Sequence, residues 1–274
     1  MKVKHQGTLQ GSEKEFLDLF QKLCYSRSAW EVWADLMSVM ACSISNAVDR
    51  TPEHYEEREK EYERCIKRIG SVEMAAEVLN VVVMALENNP DQDFLGAMYM
   101  KLNLGNHWKG QFFTPYHVCH LMAEVTVGDS KAEIEEKGWI SVGDPCIGGG
   151  TMMIAAANVF RSKNINYQNH VLFAGQDIDR VVAMMAYIQL SLLGCAGYIV
   201  VGDSLLHPLT GSVLFPRESE YQEIWYMPMF HSEVWTMRRM IQTFSMISGT
   251  ATTQKTVGKE QLTYFFNFEQ EEAL

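Results

Sequence analysis

Three acids stand at the ends of three short apolar runs: Asp144 after WISVG, Asp177 after HVLFAGQ and Asp203 after GYIVVG. Just beyond the first, the chain reads DPCIGGGTMM, with three glycines in a row at 148–150. Consecutive glycines lose much conformational entropy on folding and bury no side chain. Their presence predicts a place where a ligand lies against bare backbone. Carboxylates accept hydrogen bonds and attract cations. A glycine bend flanked by acids therefore predicts a site for a polar, positively charged ligand.

For the three acids to meet, the runs must lie side by side and point the same way. From residue 139 onward, strands are expected over about 139–143, 171–175, 197–202, 222–227 and 261–268, with helices over 150–162, 179–193 and about 232–247 between them. Short apolar strands alternating with helices predict a parallel sheet, which binds ligands at the carboxyl ends of its strands. Residues 12 to about 105 read as helices: Ser12 and Glu15 suggest a capping box, and Thr51-Pro52 suggests a helix start. The fold class expected is α/β, with a helical N-terminal domain over 1–105 and a sheet domain over 106–274.

The chain of 274 residues carries a net charge of −11, and both halves are negative. Binding DNA unaided usually needs a basic face, because phosphate contacts supply much of the affinity. DNA is thus a possible partner but a weak one for this chain alone. The six cysteines form no CxxC pair, the first residues carry no apolar leader, and no apolar run is long enough to span a bilayer. A cytoplasmic protein with no membrane partner is expected. His117, His120 and Glu124 share a helical face but lack a fourth ligand, so they read as ordinary polar residues, and no metal is expected. Trp225 and Tyr226 fit either a stacking platform for a base or core packing.

Three nucleotide-like ligands compete for the glycine bend. A phosphate-binding loop needs a Lys close to the glycines, and none is there. A dinucleotide fingerprint counted from Gly148 needs Gly or Ala at its sixth place, where Met153 stands. An acid ahead of the glycines would also repel a pyrophosphate. S-adenosylmethionine, with a sulfonium and an α-amino group, fits better. Asp144 would hold the amino group, Gly148 and Gly150 would face the methionine part, and Asp177 would accept from two ribose hydroxyls. Asp203 would accept from the adenine amine, and Ile178 would pack on the adenine face.

GQFFTP at 110–115, DPCIGGG at 144–150, GQDID at 175–179 and GDSL at 202–205 together resemble N6-adenine DNA methyltransferases, most of all the modification subunit of type I restriction–modification systems. The resemblance implies a shortened Rossmann-like, class I methyltransferase sheet. It implies cofactor contacts from Gln111, Phe113, Thr114, Pro115, Cys146 and Ser204 beside the residues above. It also implies a catalytic Asn-Pro-Pro-aromatic motif at the end of a fourth strand. Chain order places EIWYMPMF there, so Met227, Pro228 and Phe230 would form a degenerate motif without its amide acceptor. Weakened or absent adenine methylation follows as an expectation. The alternative is a non-catalytic, S-adenosylmethionine-binding regulator or decoy acting through protein partners, in DNA modification or anti-restriction. Methylation of a more nucleophilic acceptor is a third reading. A shortened sheet leaves an edge open, which invites a protein partner or a homodimer.

Overall fold

The computed structural model describes residues 11–25, 27–104, 113–128 and 130–247, and the backbone of 263–264. Five helices come first: α1 (Gly11–Leu23), α2 (Ala29–Val48), α3 (Pro52–Ile69), α4 (Val72–Asn88) and α5 (Phe94–Lys101). After α6 (Tyr116–Val127) and α7 (Ser130–Lys137), the chain alternates: β1 (Ile140–Asp144), α8 (Thr151–Ser162), α9 (Tyr167–His170), β2 (Val171–Asp177), α10 (Arg180–Leu192) and β3 (Ala196–Val201). Then come β4 (Thr210–Ser212), β5 (Phe215–Arg217), β6 (Glu223–Tyr226), α11 (Glu233–Ile247) and β7 (Thr263–Tyr264). The fold is α/β with an N-terminal helical region. Among the described residues, no single helix is long and apolar enough to cross a membrane.

The helix starts follow local chemistry, with three adjustments. The capping box sits at Ser28 and Glu31. Ser12 lies inside α1, which is helical from Gly11. Thr51 does occupy the cap of α3 with Pro52 at the first position, although its side chain caps nothing. Pro115 is the residue before α6, and no side chain caps that helix.

The sheet order is β6-β3-β2-β1-β7. β1, β2 and β3 run parallel, with Asp144 beside Gly175 and Asp177 beside Val201, so their carboxyl ends are adjacent as expected. The fourth strand departs from expectation. β6 pairs with β3, runs antiparallel to it, and forms the edge of the sheet. β7 takes the other flank, parallel to β1. Between β3 and β6 the chain forms the β4–β5 hairpin.

One sheet face packs against α8 and α10, and α2 packs on α10. A single apolar core therefore runs from Phe16 to Met227, with no break between the N-terminal helices and the sheet. The other face carries a smaller core built on Leu172, Tyr198, Ile224, Phe230 and Trp235. A charged seam joins the two regions at β6. Arg58, from α3, is buried and donates to Asp49, to Ser45 and to the Ile224 carbonyl. Arg180 donates to Glu61 and Glu223. Both guanidinium groups lie over the Trp225 ring, at 4.3 and 5.4 Å from its centroid. Trp225 is therefore core, not a platform for a base. Arg238 and Arg239 dock α11 onto its neighbours. Arg238 donates to the Asn169 and Gly138 carbonyls and Arg239 to that of Phe230.

Candidate functional site

β1 ends at Asp144, whose Oδ1 accepts the Cys146 amide at 3.0 Å. That turn throws the chain into the glycine loop. Gly148 adopts φ +55 and donates its amide to Asp177 Oδ2 at 2.8 Å. The loop after β1 is thus bonded to the tip of β2. Gly150 adopts φ +90, and a Cβ there would stand 3.1 Å from the Ala186 backbone on α10. The third glycine is therefore explained by helix packing, and the first by loop shape. Gly150→Ala is expected to destabilise the protein by about 1–2 kcal/mol from backbone strain alone, read by urea unfolding. An unchanged midpoint would refute this account.

Asp144 is 4% exposed, and burial pushes its pKa up to about 6; the Cys146 amide opposes the rise and the neighbouring Asp177 charge adds to it. Burial also raises Asp177, against amides from Asp179 and Gly148. Asp203 behaves differently. Its Oδ1 accepts the Leu206 and Leu205 amides, which hold its pKa below the usual value. The two inner carboxylates thus sit together in a half-closed place with hydrogen bonds but no cation among the causes of their shifts. Asp177 Oδ1 accepts the Asp179 amide and Oδ2 that of Gly148, and the Ile178 amide also acts to lower its pKa. A carboxylate oxygen accepts more than one donor, so a ligand offering an amino group and hydroxyls suits this pair.

Phe113 lies over the glycine loop, 3.4 Å from where a Gly148 Cβ would be, and its ring meets Tyr99 at 5.3 Å. Thr114 and Pro115 are exposed beside it. Cys146 is exposed on the loop after β1, and Ser204 lies on the loop after β3. Ile178 is 70% exposed, on the rim. Gln111 lies outside the described residues. A cavity of about 120 Å³ opens beside Asp144 and Pro145, between the sheet and the β4–β5 hairpin, with Gln176, Tyr198, Ser204 and Ser212 on its walls. The Ser212 hydroxyl oxygen is buried without a hydrogen-bond partner.

Met227, Pro228 and Phe230 do not join this site. Because β6 is antiparallel, its carboxyl end lies at the start of β3, where the Met227 amide donates to the Gly197 carbonyl at 2.9 Å. The acids lie toward the other end of that strand: Asp144 is level with Ile199 through Gly175, Asp177 is level with Val201, and Asp203 follows Val201. Met227 is fully buried, Pro228 opens a 3₁₀ turn, and Phe230 stacks on Tyr226 at 4.9 Å. Chain order had stood in for spatial order, and an apolar run carries no sign of its direction. Met227→Asn, the change that would restore an acceptor in a catalytic motif, is expected to cost about 2–4 kcal/mol by burying an unpaired amide, and to create no activity. A gain of methyl transfer by this variant would overturn the placement.

The sequence reading missed Asp93. It precedes α5 and accepts the Gly96 amide, the Thr151 hydroxyl and the Gln189 side-chain amide, directly beneath the glycine loop. The signal was an Asp followed three residues later by Gly at the start of an apolar run, the pattern of a helix cap.

No curated protein matches the chain. Among solved structures, it is similar to one assigned as a class I S-adenosylmethionine-dependent methyltransferase from Listeria monocytogenes, at 14% identity and a TM-score of 0.40, covering 74% of this chain and 57% of that one. It is also similar to the methyltransferase subunit of a type I restriction–modification system from Streptococcus thermophilus, at 14% identity and a TM-score of 0.37, covering 72% and 59%. The chain thus spans less than two-thirds of either structure, and no residue role is carried over from them. Residues 91–266, which take in the acids, the glycine loop and both edge strands, match the N-6 DNA methylase family, and the chain belongs to that family.

Proposed function

We propose that the chain binds S-adenosylmethionine at the carboxyl ends of β1, β2 and β3, as a methyltransferase of the N6-adenine DNA type. The observation that carries this reading is the pair of burial-shifted carboxylates, Asp144 and Asp177, tied to a left-handed Gly148. Asp144 would hold the cofactor amino group, Asp177 the ribose hydroxyls and Asp203 the adenine amine. Phe113, Thr114 and Pro115 would cover the methionine end, with Cys146, Gly150, Ile178 and Ser204 around it. Bound there, the cofactor supplies an activated methyl group. The residues of the chain bind and orient it and exclude water from its cationic end. We also propose the division at about residue 105 as one of chain order, with both parts sharing a core.

Calorimetry with S-adenosylmethionine tests the site. Asp177→Ala is expected to weaken binding at least tenfold, since it removes a charge-assisted acceptor. Equal affinity in the two proteins would reject the role. Methyl transfer to adenine-containing DNA, followed with labelled cofactor, tests the reaction.

A second reading, a cofactor-binding regulator or decoy that works through protein partners, is supported by the burial of Met227 in the core, away from the three acids, so that EIWYMPMF brings no amide acceptor to them. Binding without transfer favours the second reading. Transfer to adenine-containing DNA favours the first.

A further inference from the structure

Three adjacent glycines leave their peptide planes nearly free to rotate. A loop that must present a fixed face to a ligand therefore needs an outside hold, and the structure contains one. The Gln189 Oε1 accepts the Leu95 amide at 2.9 Å, which turns its NH₂ toward the glycine loop. One N–H of that group reaches the Gly149 carbonyl at 3.0 Å, and the other reaches Asp93 Oδ1 at 2.8 Å. Asp93 Oδ2 takes the hydroxyl of Thr151, the next residue after the glycines, at 2.6 Å. Its Oδ1 also takes the Gly96 amide, and a Cβ at Gly96 would fall 2.0 Å from the carboxylate. Gln189 is fully buried, and Asp93 and Thr151 nearly so. Nearby, Asn158 on α8 donates to the Pro90 carbonyl at 2.7 Å, fastening the same segment a second time.

We propose that Asp93 is a positioning residue for the cofactor loop: through Gln189 and Thr151 it fixes the Gly149 peptide with its carbonyl turned inward, away from the ligand side. The proposal rests on the cofactor reading given above. The three groups facing Asp93 are all donors, so its carboxylate is matched as an acceptor on both oxygens. The same short helix acts from above as well, since Tyr99 packs on Phe113, which covers Gly148. The start of α5 thus holds the loop from beneath, and its last turn backs the ring that covers it.

The test measures S-adenosylmethionine affinity by calorimetry on the full chain, beside thermal unfolding. Asp93→Asn presents an amide where a donor-facing oxygen is needed, and Thr151→Val removes the hydroxyl at nearly constant shape. Both are expected to lose at least tenfold in affinity. Thr151→Ser, which keeps the hydroxyl, should bind at least fivefold more tightly than Thr151→Val. Val78→Ala, in the buried face of α4, serves as a control that lowers the unfolding temperature without touching the loop; its affinity should stay within twofold. If Asp93→Asn fails to fold, the Thr151 pair decides. The inference is overturned if Thr151→Val binds like the unaltered protein, or if Val78→Ala loses as much affinity as Thr151→Val. If the unaltered protein binds no cofactor, the underlying cofactor reading fails first, which is a distinct result.

Discussion

Replacing Asp144 with Asn is expected to make the protein more stable at neutral pH and a poorer binder of the proposed cofactor, S-adenosylmethionine. In the fold, burial raises this carboxyl from 3.8 to about 6. The folded state therefore holds a proton that the unfolded state has released between those two pH values. The associated stability is fully present below pH 3.8 and is lost as pH rises through 6. Above pH 7 the ionised group costs about 3 kcal/mol relative to a neutral one. Asn keeps an oxygen for the Cys146 amide and carries no charge. The variant should thus match the unaltered protein near pH 4, pull ahead between 4 and 6, and hold its lead above 7. In a domain of this size the lead corresponds to roughly 6–12 °C in Tm. Thermal unfolding across pH, with calorimetry at pH 7.5, checks both halves. A variant no more stable than the parent at pH 8 would mean that Asp144 is solvated and the site is more open than its burial indicates.

The largest loss of stability is expected from Arg58→Met. Arg58 and Asp49 are each 3% exposed. Burial alone would raise Asp49, but hydrogen bonds from Thr51, His54 and Arg58 outweigh it and hold the carboxyl well below its usual range. Removing the arginine takes away the buried carboxylate's guanidinium partner, leaving it Thr51 and His54, and frees the Ile224 carbonyl on β6. Breaking a buried pair from one side costs about 3–5 kcal/mol. The double variant Arg58→Met with Asp49→Asn should recover a large part of that, because it removes the buried charge as well. Denaturant unfolding of the single and double variants measures the difference. If the double variant is as unstable as the single one, packing of the arginine on Trp225, not its charge, is what matters.

The parts of the site that were legible in the sequence are local ones. A strand followed by an acid, or by glycines that open a helix, is written in consecutive residues, and β1, β2 and β3 lie close to where their apolar runs place them. The left-handed turn at Gly148 follows from the same few letters. What was not legible depends on distant contacts. EIWY has the same apolar character whichever way it runs, and the contacts that accompany its antiparallel pairing with β3 come from Arg58 and Arg180, on α3 and α10. The roles of Met227 and Phe230 were misplaced with it. Asp93 was passed over because its partners, Thr151 and Gln189, come from two other helices.

The position of β7 has a consequence for how the chain is made. The strands β1, β2 and β3 emerge in order and can pair as they appear, but the neighbour that covers the outer flank of β1 comes after all the other described strands. Until it arrives, the flank beside Asp144 presents unpaired backbone. A nascent polypeptide in that state is open to strand exchange with a neighbour on the same message.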